Sequence, residues 1–573
     1  MQVPSRLRAP WPLVVAVLAA VAPAAAADPA RPNILVILAD DLGYSDLGCY
    51  GGEIRTPHLD RLAAGGLRFT QCYNSSRCCP SRASLLTGLY PHQAGIGRFV
   101  GGGGQLPGYR GRLNDDCATL AEVLGPAGYA AFACGKWHVG EPGPVARGFD
   151  GFYGFVHGYG LDSWNPRMLV RLPKSAVTRP PASTGFFATD ALTDQALDFL
   201  ATARAADQPW LLYLAYQAPH FPLQAPPELT ARYAPLYARG WDVLRGERLA
   251  RMQRLGLVPA DLALPPREQI DSPAVARRLG SLTADGRNPA WDSLDPRRQA
   301  DLASRMAVYA AMVESMDAAI GRLVTSLETA GELDRTLILF LSDNGACAEW
   351  EPFGFDLDPA DYRDRAPGHG VDGSTPGKPN VLHEGAALAA MGGPEATTLV
   401  SYGSGWANLS NTPLALYKHL AHEGGIRTPL IAHWPAVIGD PGGIRPHVAH
   451  LMDVMATCVE IAAAPYPPLK KPRAPPLEGR SLLPALRGDP AEPRTLVFEH
   501  EHNAAIRRGD WKLVGRGVIA GAGLRRPPRW QLYDLASDPA EQHDRSADRP
   551  DLVAELAAAF EAEARRTLIL PAP

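Results

Sequence analysis

Four apolar runs in this chain each break off at ionisable or amide side chains. Asn33–Ala39 runs into Asp40-Asp41, and Ala130–Cys134 into Gly135-Lys136-Trp137-His138. Trp210–Ala215 leads to Gln217-Ala218-Pro219-His220, and Thr336–Leu341 to Ser342-Asp343-Asn344-Gly345. Unbroken apolar runs of this length are expected of strands buried on both faces. In a parallel α/β sheet the carboxyl ends of the strands lie along one edge, where ligands bind. The four endings therefore predict one site. Singly each is weak: Asp40-Asp41 also suits a helix cap, and Asp343-Asn344-Gly345 also suits a plain turn. Asp40, Asp41, Asp343 and Asn344 offer only oxygen donors, the set that favours a hard cation such as Ca²⁺, with Mg²⁺ as the alternative. The chain has no HExxH and no paired CxxC, so a zinc site has little support.

A second segment, Ser76-Arg77-Cys78-Cys79-Pro80-Ser81-Arg82-Ala83-Ser84-Leu85-Leu86-Thr87-Gly88, carries a different signal. Pro80 suits the first turn of a helix and Gly88 its stop. That places Cys78 just before a helix N-terminus, where a thiol pKa falls and anions bind. A vicinal or structural Cys pair is the plainer reading of the same residues.

The elements that must position these groups read as α/β. The alternation of short apolar runs with helical stretches from Pro32 to Pro435 predicts a large mixed, mostly parallel sheet sandwiched by helices. Leu302, Met306, Tyr309, Val313, Met316, Ile320, Leu323 and Leu327 form one apolar helical stripe, stopped by Gly331. The polar, Arg-rich stretch of about 235–300 reads as a surface insertion of short helices. The Gly-, Pro- and Asp-rich stretch 345–405 reads as a long loop region, of the kind that is often functional. Beyond about 480, Thr495–Phe498, Asn503–Ile506, Trp511–Val514 and Trp530–Asp534 suggest a small C-terminal antiparallel sheet, followed by a helix over about 552–566. The expected organisation is a large α/β domain over 28–480 and an α+β subdomain over 481–573.

Composition excludes several classes. With 56 basic and 60 acidic residues among 573, the net charge is −4, which argues against a nucleic-acid binder. Eight Cys are too few for a disulfide scaffold, and Gly and Pro together are only about a fifth of the chain. Residues 1–27 read as a signal peptide: Arg6 and Arg8, an apolar run from Trp11 to Val21, then Ala25-Ala26-Ala27. The run is too short to span a bilayer comfortably. A periplasmic or secreted protein is expected, with no membrane attachment after cleavage.

Cys78-Cys79-Pro80-Ser81-Arg82 with Leu86-Thr87-Gly88 resembles the Cys-x-Pro-Ser-Arg signature of the type I, formylglycine-dependent sulfatases. Asp40-Asp41, Lys136-Trp137-His138, Asp343-Asn344-Gly345 and Lys418 before Glu423-Gly424-Gly425 match as well. So do Leu532-Tyr533-Asp534-Leu535, Asp538-Pro539 and Glu541, and the resemblance covers nearly the whole mature chain. Trp406–Pro413 and His422–Ile426 are similar to the bacterial arylsulfatase branch. Gln542-His543-Asp544 departs from the usual ending of the last motif and touches no catalytic role.

The resemblance implies an alkaline-phosphatase/sulfatase-like fold and hydrolysis of small-molecule sulfate esters. It implies that Cys78 is oxidised to Cα-formylglycine by a transient maturation enzyme, because only Cys78 has Pro80 and Arg82 at the right offsets. The hydrated aldehyde would attack sulfur with one hydroxyl and expel sulfate through the other. Asp40, Asp41, Asp343, Asn344 and the modified residue 78 would hold Ca²⁺. Arg82 would fix the diol, Lys136 and His138 would contact it, and His138 would be the base for sulfate release. His220 and Lys418 would bind sulfate on the leaving-group side, with His220 able to protonate the departing oxygen. His92 is read as structural. Trp164, Trp350 and Glu499-His500-Glu501-His502-Asn503 are rim candidates, and Asn74 and Asn408 begin N-x-[ST] sequons. Two competing functions are a formylglycine-dependent phosphonate or phosphate ester hydrolase and a non-catalytic exported binding protein.

Overall fold

Every residue of β1 (Asn33–Ala39) is buried, and its side chains alternate between two cores. Leu35, Ile37 and Ala39 join the core that contains the long helix Pro296–Thr329. Ile34, Val36 and Leu38 join the opposite core, with the helix Cys78–Thr87. Neither face of the strand meets water, which is why its sequence is apolar without a break. The computed structural model describes residues 31–573 apart from 102–103, 175–184, 271–272, 349–351, 361–377 and 526. The expected signal peptide and Trp350 lie outside the described residues.

The sheet around β1 has nine strands. In chain order they continue with β2 (Leu67–Tyr73), β3 (Ala130–Lys136), β4 (Gly151–Phe155), β5 (Val170–Leu172), β6 (Trp210–Ala215) and β7 (Thr336–Ser342). A separate three-stranded ribbon follows, made of β8 (Phe355–Leu357), β9 (Lys378–Pro379) and β10 (Leu399–Val400). Then β11 (Arg427–His433) and β12 (Gly443–His450) complete the large sheet, in the spatial order β12-β2-β11-β7-β1-β6-β3-β4-β5. The block β7-β1-β6-β3-β4 is parallel, while β11 runs antiparallel to both β7 and β2. The fold is the expected one: a mixed, mostly parallel sheet between helices.

The helix Pro296–Thr329 begins where Asp295 accepts from the backbone N–H of Arg297 and Arg298, at 3.1 and 3.2 Å. All eight residues of the apolar stripe are buried, and Gly331 follows at φ 65°. The stretch expected as a surface insertion does contain short helices, Trp241–Arg254 and Pro273–Leu279. It is anchored more deeply than its composition suggests: Trp241 and Trp291 are buried, with ring centroids 5.2 and 5.3 Å from that of Trp406. Within 345–405 the described residues include the β8–β10 ribbon and the helices Gly385–Ala389 and Gly403–Ser410.

The small C-terminal sheet pairs β13 (Thr495–His500), β14 (Asn503–Arg508), β15 (Trp511–Gly515) and, after the short ribbon β16 (Ile519–Ala520) and β17 (Gly523–Leu524), β18 (Gln531–Asp534). The helix Pro550–Arg566 packs on it through Leu556, Phe560 and Ala564. A buried ion triad fastens it to the large sheet: Lys512 Nζ lies 2.8 Å from Glu423 and 2.9 Å from Glu541, all three inaccessible to solvent. Tyr73, at the end of β2, donates to the same Glu423 at 2.9 Å.

His450, at the end of β12, lies between the rings of Tyr90 and Phe498 and accepts from the Met452 N–H at 3.2 Å. Burial, reinforced by the charge of Arg494, pushes this imidazole down to about 3. The unfolded chain takes up that proton near pH ~6.5 and the folded chain does not, so the stabilisation is complete above that pH and drains away as pH falls toward 3. For this residue the loss between pH 8 and pH 5 is about 2 kcal/mol. Urea unfolding at the two pH values checks it: His450→Asn should flatten the acid loss by that amount, and an unchanged pH slope would refute the assignment.

Candidate active site

The parallel strands β7, β1, β6 and β3 lie side by side, so their carboxyl ends fall along one edge. Backbone bonds continue past the strand ends and fix the residues that follow. Asp40 N–H donates to Ala218 O at 3.2 Å, and Asp343 N–H to Ala39 O at 3.1 Å. Asp41 and His138 stand in left-handed backbone, at φ 66° and 52°. That conformation is costly outside glycine and recurs at functional sites.

Cys78 is the first residue of the helix Cys78–Thr87, and Gly88 ends that helix at φ 71°. Arg82 follows four residues later on the same helical face. Its guanidinium is fully buried: Nε and Nη2 lie 2.9 and 2.7 Å from Asp343 Oδ2, Nη2 is 3.4 Å from Asp40 Oδ2, and Nη1 donates to Lys136 O at 2.8 Å. Lys136, the last residue of β3, reaches Asp40 Oδ2 at 2.5 Å. Lys418 donates to both oxygens of Asp41, at 2.8 and 3.0 Å. Its loop is held against the loop after β7 by Lys418 N–H to Ala346 O at 3.1 Å. Asn411 ties the same loops together: it accepts from Ala346 N–H at 3.0 Å and donates to Leu416 O and Gly424 O at 2.8 and 2.7 Å.

His220 Nε2 lies 3.4 Å from Asp41 Oδ2, and its Nδ1 bonds the carbonyl of Phe221. A carbonyl only accepts, so Nδ1 carries a proton and Nε2 is the atom that can exchange one. Burial lowers the His220 pKa, with Asp41 pulling it back. His138 meets Cys78 and Cys79, the sulfur and ring-nitrogen atoms all lying within 4.8 Å of one another. Burial pushes His138 down to about 4, which keeps it neutral at neutral pH. Cys78 moves the other way for a thiol. Burial would raise it, but a hydrogen bond from Cys79 and the basic groups His138, Lys136 and Lys418 hold it well below its ordinary value.

The residues present fit a hard cation. Asp40 Oδ1 and Asn344 Oδ1 are buried oxygens without a hydrogen-bond partner. Asn344 Nδ2 is bonded to Asp41 Oδ1 at 2.6 Å, so the amide and the two strand-end carboxylates share one small space. Burial first, then the charge of Asp40, pushes the Asp343 carboxyl well above its usual range despite Arg82, the signature of crowded anions.

All ten of the sequence-predicted site residues are buried, and they meet in this one place: Asp40, Asp41, Cys78, Arg82, Lys136, His138, His220, Asp343, Asn344 and Lys418. Others lie elsewhere. His92 pairs with Glu499 at 2.7 Å, a structural contact. Trp164 is engaged by Gly392 O and the ring of Phe187. Asn74 and Asn408 are buried, so neither sequon is presented at the surface. Three neighbours of the site carry no signal in the sequence: Phe99, edge-on to His138 at 5.1 Å; Tyr159, 6.0 Å from the His220 ring; and Cys347, 3.8 Å from Lys418 Nζ. Arg77, in the segment that leads to Cys78, stacks over Phe99 at 4.6 Å.

Residues 32–464 match the sulfatase family. The chain belongs to the sulfatase family. This sulfatase is 34% identical to an arylsulfatase of Klebsiella aerogenes over 471 residues, 80% of this chain and 92% of that one. It is 32% identical to an uncharacterised sulfatase of Schizosaccharomyces pombe over 563 residues, 92% of this chain and 93% of that one. The crystal structure of Ps i-CgsB in complex with k-i-k-neocarrahexaose superposes with a TM-score of 0.60 at 25% identity, covering 93% of each chain.

If the oxygen cluster binds a cation, Asp343→Asn in this sulfatase keeps its shape and loses the charge. Calorimetric titration should find one Ca²⁺ per wild-type chain, with Mg²⁺ weaker, and affinity reduced at least about a hundredfold in the variant. A wild-type protein that binds neither ion at millimolar concentration, or zinc bound here in their place, would overturn the assignment.

Proposed function

We propose that this sulfatase hydrolyses sulfate esters of aryl type at residue 78, after Cys78 has been converted to Cα-formylglycine by a maturation enzyme. The observation that carries the proposal is the setting of Cys78: a buried helix-start residue facing His138, inside a cage where the carboxylates of Asp40, Asp41 and Asp343 meet Arg82, Lys136 and Lys418. The hydrated aldehyde would supply the nucleophile, and a divalent cation on Asp40, Asp41, residue 78, Asp343 and Asn344, Ca²⁺ or alternatively Mg²⁺, would supply positive charge to the sulfate oxygens.

The chain's own residues then divide the work. Three carboxyl groups face three basic side chains in the cage, so a bound divalent ion tips it toward positive charge and suits it to a sulfate ester anion. Lys418 Nζ, beside Asp41, binds the sulfate group. Arg82 and Lys136 hold Asp40 and Asp343 in place and orient residue 78. His138, kept neutral by burial, is ready to take up the proton released on the residue-78 side. His220, whose Nε2 is its exchangeable nitrogen, delivers a proton to the departing oxygen.

An aryl leaving group is favoured by the rings beside the two histidines. Phe99 is edge-on to His138, Tyr159 is 6.4 Å from Phe99, and Phe221 is 5.7 Å from Tyr159. The similarity to the Klebsiella arylsulfatase points the same way. The leader-like residues 1–27 support export to the periplasm or beyond, where sulfate esters from outside the cell are met. Mass analysis of the peptide spanning residue 78, with a panel of aryl, alkyl and sugar sulfates beside phosphonate esters, tests the reading. An active preparation with an unmodified thiol at 78 in every molecule refutes the nucleophile. Turnover of phosphonates and not sulfates refutes the reaction.

The two histidines separate in a leaving-group series. His220→Ala should slow aryl sulfates with poor leaving groups by about a hundredfold or more and activated ones far less, because only a poor leaving group needs protonation. With its pKa lowered, His220 loses the protonated form below the ordinary pH ~6.5, so wild-type activity on poor leaving groups should fall off at lower pH than on activated ones. His138→Ala should slow all members alike. Equal leaving-group slopes in the two variants would overturn these roles.

A further inference from the structure

The tip of the β13–β14 hairpin is built in an expensive way. Glu501 and His502, its two turn residues, both occupy left-handed backbone at φ 51° and 68°, without a glycine or asparagine. A two-residue hairpin normally places such residues there, because only they enter that region cheaply. His419, which Glu501 contacts, is also left-handed at φ 76°. Strain concentrated at one contact calls for a function there.

The Glu501 carboxylate joins two segments that carry site residues. Its Oε1 lies 2.5 Å from Arg77 Nη1, and its Oε2 lies 3.0 Å from His419 Nδ1. Arg77 directly precedes Cys78, and His419 directly follows Lys418. The same two segments are stitched by His419 N–H to Ser76 O at 2.8 Å, and Asn503 of the hairpin donates to His419 O at 3.2 Å. Arg77, held in this way, covers Phe99, whose edge meets His138. One carboxylate from the C-terminal sheet therefore bears on residue 78, Lys418 and His138 together.

A metal at this spot is disfavoured. His419, His500 and Glu501 have ligand atoms within 4.8 Å of one another, yet the Arg77 guanidinium already puts a fixed positive charge on the Glu501 carboxylate. We propose that Glu501 is a positioning residue for hydrolysis, a clamp that fixes Arg77 and His419 and so sets the distance between residue 78 and Lys418. The inference rests on the hydrolase reading above. Glu501 is 43% exposed and lines a cavity of about 420 Å³ beside Phe99, outside the apolar cores.

The test combines kinetics with amide exchange in the matured enzyme, with rates normalised to the converted fraction at residue 78. Glu501→Gln should lower kcat about tenfold while KM and Tm stay near wild type, since small misplacements of reacting groups act on the chemical step. Arg77→Met should do the same, and the double variant should be no slower than the slower single one. Exchange of the His419 amide should accelerate about tenfold in Glu501→Gln, with exchange in β1 unchanged. Wild-type kcat in Glu501→Gln, additive losses in the double variant, or unaltered exchange at His419 would each overturn the clamp. The exchange arm needs no turnover. If the wild type cleaves none of the esters offered, the hydrolase reading fails, and accelerated exchange at His419 would still establish the clamp as a structural fact.

Discussion

Burying Arg82 is the constraint on which the rest of this structure depends. A guanidinium removed from water costs several kcal/mol unless every face of it is matched. Here Asp343, Asp40 and the carbonyl of Lys136 match it, and they arrive from the ends of β7, β1 and β3. Three strands must therefore end at the same level. Because Arg82 lies one helical turn after Cys78, the helix that delivers the guanidinium also delivers residue 78 to the same cage. An Arg→Lys change would not be conservative: an ammonium cannot bridge two carboxylates and a carbonyl at fixed angles.

The C-terminal sheet repeats that logic at a second place. Lys512 is buried between Glu423 and Glu541, and Glu423 N–H donates to Glu541 at 2.7 Å. Burial, with the charge of Glu423, pushes Glu541 up to about 7, while Glu423, nearer the cations Lys512 and Arg427, is held below its usual range. Such a triad is weak as a source of stability and strict about registration. It fixes the small sheet against the ends of β2 and β11, and that is what brings the tip of the β13–β14 hairpin to Arg77.

Legibility in the sequence followed burial. The runs that become β1, β3, β6 and β7 stood out because both of their faces are in the core. β2 did not, since Arg68 and Gln71 interrupt its buried residues. β11 carries Pro429 in its middle, and the pairing with β2 shifts register there, between Thr428 and Leu430. A proline at a bulge is compatible with a strand, but as sequence it reads as a break. In the site, Asp40, Asp41, His138, Asp343 and Asn344 were legible because they sit next to apolar runs. Lys418 follows no run and was visible only through a family motif. The contacts of Glu501 with Arg77 and His419 join segments distant in the chain, and no local pattern announces such a meeting.

Within the cage, order matters more than net charge. Three carboxylates face three cations, yet the acids respond differently. Burial would raise Asp41, but Lys418 at 2.8 Å and His220 hold it well below the usual carboxylate range. Asp343 shares Arg82 with Asp40 and is pushed up instead. At Asp343, burial and the charge of Asp40 outweigh Arg82. The two buried oxygens without a partner, Asp40 Oδ1 and Asn344 Oδ1, come from the same pair of strand ends, β1 and β7. Where crowded carboxyl groups and unmatched lone pairs coincide, an added cation relieves both at once, which is a stronger argument for a metal than a count of carboxylates. It also explains why Arg82 and Lys136 do not substitute for that cation: Lys136 donates into Asp40 Oδ2 and Arg82 Nη2 lies 3.4 Å from the same oxygen, which leaves Oδ1 without a donor.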